Sequence, residues 1–263
     1  MNRIYKKFLN LKKRKKTALI AYLTVGYPDI ATTERLIIDL SKNGVDMFEL
    51  GMPFSDPLAD GPIIQESSNF ALNHKINLDS IFSLTKRLNV KIDSPLLMMG
   101  YYNPILKYGL NRFAKKVKAS GLDGIIVPDL PIEESNYLNR QLIKNKIHLI
   151  NFIAPTTDKK RVKKIATQSK GFIYYVSLTG VTGARKSLPK DVATHVKQLK
   201  KISKIPICVG FGVSKKSQFE SLSRFSDGVI VGSAIIKKIK DNLGKNNLIQ
   251  KVSSFIHSLK SST

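Results

Sequence analysis

Short apolar runs alternate with longer amphipathic segments along the whole chain. The apolar runs are Ala18–Leu23, Met47–Leu50, Leu96–Met99, Gly124–Val127, Ile147–Phe152, Phe172–Val176, Ile205–Val209 and Gly228–Val231. Each is near-continuous rather than alternating, as expected of parallel strands covered on both faces. Between them, apolar residues recur at helical spacing. Leu110, Phe113, Ala114 and Val117 fall at i, i+3, i+4 and i+7, as do Val252, Phe255, Ile256 and Leu259. Glycine closes several of these segments, as in Asn43-Gly44 and Ser120-Gly121, where a residue with φ > 0 ends a helix. An acidic residue then precedes the strand, giving Gly44-Val45-Asp46 and Gly121-Leu122-Asp123. This recurrence predicts repeated βα units. Eight buried strands alternating with helices over 263 residues predict one (β/α)8 TIM-barrel domain spanning 1–263, a fold that takes ~250 residues. An open doubly wound sheet shares the local pattern and is the alternative. Met1–Lys16 is expected to form an extra helix ahead of the first strand, with Phe8 and Leu11 on one side. Asp79–Asn89 is expected to form another before the third strand.

Composition narrows the classes. A hydrophobic share of 42% suits a sizeable soluble core. No apolar run approaches the ~20 residues of a membrane-spanning helix, and the basic N-terminus lacks the apolar stretch and small-residue cleavage site of a secretory signal. A cytoplasmic protein without membrane contact is expected. The single cysteine, Cys208, lies in an apolar run and reads as a core residue. His74, His148, His195 and His257 are scattered, with no pair at ligand spacing, so no metal is expected. Lys plus Arg is 44 against 19 acidic residues, a formal net charge of +25. The clusters, Lys12–Lys16 above all, accompany no nucleic-acid motif and read as solvated surface on different helices.

In a barrel the chemistry sits where strands end. The expected strand ends carry Thr24, Glu49, Tyr101, Asp129, Phe152, Ser177, Gly210 and Gly232 or their neighbours. No lysine stands among them, which argues against a Schiff-base aldolase. Glu49 is flanked by Met47, Phe48, Leu50 and Met52; a glutamate drawn out of water has its charged form disfavoured and its pKa raised toward the range useful for moving protons. Asp60 closes the loop that follows, and two carboxylates in different settings can divide acid and base duties. Late in the chain, Gly210-Phe211-Gly212 and Gly232-Ser233 follow the seventh and eighth strands, where backbone N–H groups can approach a phosphate. Gly180-Val181-Thr182-Gly183 could complete that cradle and act as a lid. Tyr22, Phe152 and Tyr174 would line a flat pocket for an aromatic moiety opposite the phosphate.

The runs Glu49-Leu50-Gly51-Met52-Pro53-Phe54-Ser55-Asp56-Pro57-Leu58-Ala59-Asp60-Gly61-Pro62 and Tyr174-Tyr175-Val176-Ser177-Leu178-Thr179-Gly180-Val181-Thr182-Gly183 closely resemble signature segments of tryptophan synthase α chains. Tyr102-Asn103-Pro104, Pro128-Asp129-Leu130-Pro131 and Gly210-Phe211-Gly212 are similar to others, and the likeness runs from about Tyr5 to Leu259. The resemblance implies retro-aldol cleavage of indole-3-glycerol phosphate, with no cofactor in this subunit. It implies Glu49 as proton shuttle, Asp60 beside the indole N–H and Tyr174 in support. Phosphate would rest on Gly183, Gly212, Gly232 and Ser233. Tyr22 and Met99 occupy pocket positions where the family varies. The resemblance also implies a pyridoxal-phosphate β chain as partner in an α2β2 assembly, facing Pro53–Asp60 and Asn103-Pro104. Another phosphate-sugar barrel enzyme, or a basic nucleic-acid-binding protein, are the rival readings.

Overall fold

The computed structural model describes residues 1–176, 191–210 and 212–260. In chain order the elements are α1 (Arg3–Lys13), β1 (Ala18–Thr24), α2 (Ile30–Lys42), β2 (Met47–Gly51), α3 (Pro62–Asn73), α4 (Leu78–Asn89), β3 (Leu96–Met99), α5 (Tyr102–Tyr108), α6 (Leu110–Ala119), β4 (Gly124–Ile126), α7 (Asn136–Lys144), β5 (His148–Ile153), α8 (Lys159–Gln168), β6 (Ile173–Val176), α9 (Asp191–Ile202), β7 (Ile207–Gly210), α10 (Lys216–Ser223), β8 (Gly228–Val231), α11 (Ser233–Lys240) and α12 (Leu248–Lys260). The strands pair in parallel in the order β1 to β8, and β8 pairs back onto β1, so the sheet is closed. Closure removes the open-sheet alternative. The apolar runs anticipate every strand within one or two residues; β7 begins at Ile207 because Pro206 has no N–H to give to a ladder.

Two apolar layers hold the barrel. Side chains alternate across a strand, so Leu19, Ala21, Leu23, Phe48 and Leu50 face the helices in the larger core cluster. Ala18, Ile20, Met47, Leu97, Ile126, Ile150, Phe172, Cys208 and Ile230 face inward in a second cluster. Helix α1 closes the end where strands begin, because its buried face, Ile4, Phe8 and Leu11, belongs to that inner cluster. The Asn2 side chain caps the helix at the N–H of Ile4 (2.9 Å) and donates to the carbonyl of Asp123 (2.9 Å), fixing α1 across the base.

The glycine-then-aspartate pattern has a structural meaning at the same end. Gly44 (φ +105°) and Gly121 (φ +79°) end α2 and α6 in the left-handed region. Asp46, which precedes β2, accepts the Leu19 N–H of β1 at 2.9 Å. Asp123, before β4, accepts the Leu96 N–H of β3 at 3.0 Å, and Asp227, before β8, accepts the Ile207 N–H of β7 at 2.8 Å. Each carboxylate also meets a cation: Lys260 at 2.6 Å, Arg3 at 2.8 Å and Lys200 at 2.8 Å respectively. These aspartates knit neighbouring strands together on the face remote from the mouth, where barrel residues serve stability.

Candidate active site

At the mouth, the inward positions of the strands carry the polar and aromatic side chains. Continuing the inner alternation past Ala18 and Ile20 places Tyr22 inward. Continuing past Met47 places Glu49 inward, directly paired with Tyr22 in the β1–β2 register and with Leu97 in the β2–β3 register. Met99 and Phe152 pack against the inner cluster, and Tyr174 belongs to it. The Phe152 and Tyr174 ring centroids are 4.8 Å apart, making one wall of the pocket.

Glu49 is 1% exposed, and neither carboxyl oxygen has a hydrogen-bond partner among the described residues. Burial disfavours its charge, and the nearby Asp60 carboxylate adds repulsion, so its pKa is pushed up to about 8. Asp60 is 7% exposed at the end of the loop after β2. Burial raises its pKa to about 6, against the hydrogen bond from the Tyr101 hydroxyl, which favours the charged form. Near neutral pH, then, one carboxyl is protonated and the other ionised, within a single apolar chamber. Tyr22 and Tyr174 have their pKa raised by burial first and by the two carboxyl groups after it, so both enclose the pair as neutral phenols.

Each phenol leans toward the mouth over a glycine of the next strand. A Cβ on Gly51 would collide with the Tyr22 hydroxyl, and one on Gly210 would come within 2.7 Å of Tyr174 Cε1. Gly210 thus makes room for Tyr174 at the end of β7. Gly212 has φ +61°, a left-handed conformation that L side chains rarely adopt. Gly232 is the N-cap of α11 and makes no side-chain cap, while Ser233 is its first helical residue and is buried. An uncapped N-terminus leaves backbone N–H groups and the positive end of the helix dipole for an anion. Thr182 and Gly183 lie outside the described residues, as do Ser177, Phe211 and the rest of the 180–183 motif.

Tyr101 is the residue that sequence reasoning noted as a strand end but did not assign to the site. Its hydroxyl donates to Asp60 Oδ2 at 3.0 Å and accepts the Ala59 N–H at 3.0 Å. Its ring stacks on Phe54 at 4.8 Å. It therefore grips both ends of the loop that carries Asp60. The signal available was an aromatic immediately after Gly100 at a strand end; its reach to Asp60, 41 positions away, was not readable. Asp129, another expected strand-end residue, instead accepts the Tyr102 N–H at 3.0 Å at the start of α5. Among the described residues, no group of three or more His, Cys, Asp or Glu could hold a metal ion.

Comparison with known proteins agrees across the whole length. A family model described as tryptophan synthase alpha chain matches residues 8–263. The tryptophan synthase alpha chain of Thermoanaerobacter sp. (strain X514) is 45% identical over 260 residues, covering 99% of each chain. That of Geotalea daltonii is 44% identical, covering 99% of this chain and 98% of the relative. Among solved structures, tryptophan synthase subunit alpha from Legionella pneumophila superposes with a TM-score of 0.91 at 35% identity, covering 98% of this chain and 97% of that one. A Mycobacterium tuberculosis tryptophan synthase chain superposes with a TM-score of 0.91 at 30% identity, covering 98% and 96%.

Proposed function

The chain belongs to the tryptophan synthase alpha chain family, and from that premise we propose that Glu49 and Asp60 divide the proton and charge work of its reaction. It is a lyase that splits indole-3-glycerol phosphate into indole and glyceraldehyde 3-phosphate in tryptophan biosynthesis.

Breaking the bond to indole C3 requires a proton on that carbon and loss of the proton from the adjacent glycerol hydroxyl. One carboxyl group that starts protonated can do both. Glu49, with its pKa raised to about 8, gives its proton to C3. As the carboxylate it then takes the hydroxyl proton while the carbon–carbon electron pair returns to the ring and the aldehyde forms, so the enzyme ends as it began. Protonated C3 leaves positive charge spread onto the ring nitrogen. Asp60, ionised above about pH 6, accepts a hydrogen bond from that N–H and stabilises the charge where it develops.

Tyr174 supports the Glu49 carboxyl, and Tyr22, Met99 and Phe152 flank the indole ring. The phosphate rests on the backbones at Gly212, Gly232 and Ser233, with Thr182 and Gly183 contributing from the sixth loop and Gly210 shaping the seventh. The observation that carries this reading is the pair of carboxyls, Glu49 and Asp60, buried together beneath one mouth, where burial raises the pKa of each. Incubating the purified chain with indole-3-glycerol phosphate and measuring indole tests it, with Glu49→Gln as the control that should be silent.

The family works with a beta chain. We assign this chain to an α2β2 assembly in which the beta chain holds pyridoxal phosphate and the alpha chain needs no cofactor. Exposed Leu58 lies within the first of the two segments expected to face that partner, and exposed Leu106 follows the second. Residues 1–263 are read as one domain. Among the described residues no helix is long and apolar enough to cross a membrane, and we place the enzyme in the cytoplasm.

A further inference from the structure

Among the described residues the lysine excess is not spread evenly over the barrel. All strands run the same way, so every segment leading from a helix into a strand lies at the base, and every segment leading out lies at the mouth. Apart from Asp60, the described mouth segments carry Asp29, Asp56, Asp129, Glu133, Glu134 and Asp158 against Lys215. The base segments carry Arg14, Lys15, Lys16, Lys91, Lys146, Lys170, Lys204 and Arg224, all exposed, against one exposed acid, Asp93. The acids of the base are mostly spoken for: Asp46, Asp123 and Asp227 are each held by a strand N–H and a cation. Helix polarity accounts for basic side chains within a last turn. It does not account for Lys15, Lys16, Lys170 and Lys204, which lie beyond the last helical residues Lys13, Gln168 and Ile202.

The same end shows apolar surface. Helix α1 turns Ile4, Phe8 and Leu11 into the barrel and leaves Met1, Tyr5 and Leu9 exposed at 82%, 53% and 42%. Val90, just past α4, and Ile202, the last residue of α9, are 83% and 50% exposed.

We propose that the base of the barrel is a docking face for an anionic lipid surface. The lysine ring meets the headgroups and the outer edge of α1 enters the interface, the arrangement of a basic amphipathic anchor. Charge complementarity selects a polyanion, and the apolar residues between the cations select a lipid surface over a nucleic acid. A single-stranded nucleic acid would call for several aromatic stacking platforms, whereas Tyr5 is the exposed aromatic at this end among the described residues. Docked this way, the mouth with Glu49 faces away from the surface and stays open to substrate and partner. This inference does not depend on the assignment of catalytic roles.

The test is co-sedimentation of the full chain with vesicles of phosphatidylglycerol and phosphatidylcholine, against vesicles of phosphatidylcholine alone. Retention is expected on the anionic vesicles only, falling as salt is raised. Replacing Lys15, Lys16, Lys146, Lys170 and Lys204 together by Gln should weaken partitioning roughly tenfold or more. Tyr5→Ser with Leu9→Ser should remove the fraction that resists salt. A matched set removing the same charge elsewhere, Lys107, Lys159, Lys160, Lys163 and Lys251 to Gln, should leave partitioning within about twofold. Indole release, unchanged in every set, reports that the variants are folded. Should the five-lysine set fail to fold, the Tyr5→Ser with Leu9→Ser pair decides the matter, and an unchanged salt-resistant fraction overturns the proposal. Equal weakening by both lysine sets overturns the proposal, as does no retention on anionic vesicles at low salt. Retention on polyuridylate but not on vesicles overturns it in favour of nucleic acid.

Discussion

The hydroxyl of Tyr101, on the segment after β3, donates a 3.0 Å hydrogen bond to Asp60, at the end of the loop after β2. The same oxygen accepts the Ala59 N–H, so one phenol holds both the carboxylate and the backbone that presents it.

Tyr101→Phe keeps the stack on Phe54 and loses both hydrogen bonds. Without the donor, the Asp60 pKa should climb above about 6, moving the acid limb of kcat/KM upward by a few tenths to about one pH unit. The loss in kcat/KM should therefore be larger at pH 6 than at pH 8. A loss equal at all pH values would mark Tyr101 as merely structural.

Glu49→Gln should remove roughly a thousandfold or more of the indole-release rate, since one group serves two proton transfers. Binding of a phosphorylated ligand should survive, which calorimetry can check. Stability should move the other way. The folded-state pKa of Glu49, about 8, lies above its ordinary value of 4.5. The stability linked to its proton is therefore fully present below about pH 4.5 and drains away as pH rises toward about 8. Thermal melts should show Glu49→Gln gaining on the unaltered chain across that window, by up to about 5 kcal/mol.

The pH profile of kcat/KM should be bell-shaped. Asp60 must be ionised, which sets the rise near pH 6, and Glu49 must be protonated, which sets the fall near pH 8. Asp60→Asn should remove the acid limb and cost about a hundredfold in rate, the loss of a charge-stabilising group. A profile flat from pH 6 to 9 would separate these carboxyls from the chemistry.

Gly212→Val should raise KM for the phosphorylated substrate, because the bulk enters the cradle and φ +61° becomes strained. An unchanged KM would remove Gly212 from the phosphate site. At the other end, Asp123→Ala leaves the Leu96 N–H without its acceptor and the Arg3 guanidinium with the Gly121 carbonyl alone. It should destabilise the fold by about 2–3 kcal/mol with kcat unaltered, measured by denaturant unfolding beside the indole assay.

The sequence shows the barrel because buried parallel strands and amphipathic helices leave periodic marks, and because glycine at a helix end and aspartate before a strand repeat those marks. It does not show that α5 and α6 part at Gly109 with φ +89°, at a point where an added Cβ would meet nothing within 4 Å. Glu49 is an instructive case. Its apolar neighbours Phe48 and Leu50 suggest burial, yet both face the helices. The chamber around its carboxyl comes from Tyr22, Leu97 and Tyr174, on other strands. Glu49 is buried by residues of other strands rather than by its neighbours along the chain. Tyr101 stayed unassigned because a hydrogen bond to Asp60 depends on side-chain direction across two strands, and spacing along the chain carries no trace of that.

Tyr22 over Gly51 and Tyr174 over Gly210 form two interlocked couples, one across β1 and β2 and the other across β6 and β7. Neither glycine can gain a methyl group while its tyrosine stays, and neither tyrosine can shrink without opening a gap. Reshaping this chamber for a different ring system is therefore a matter of changing partners two at a time: a library that varies single positions would sample mostly collisions and voids.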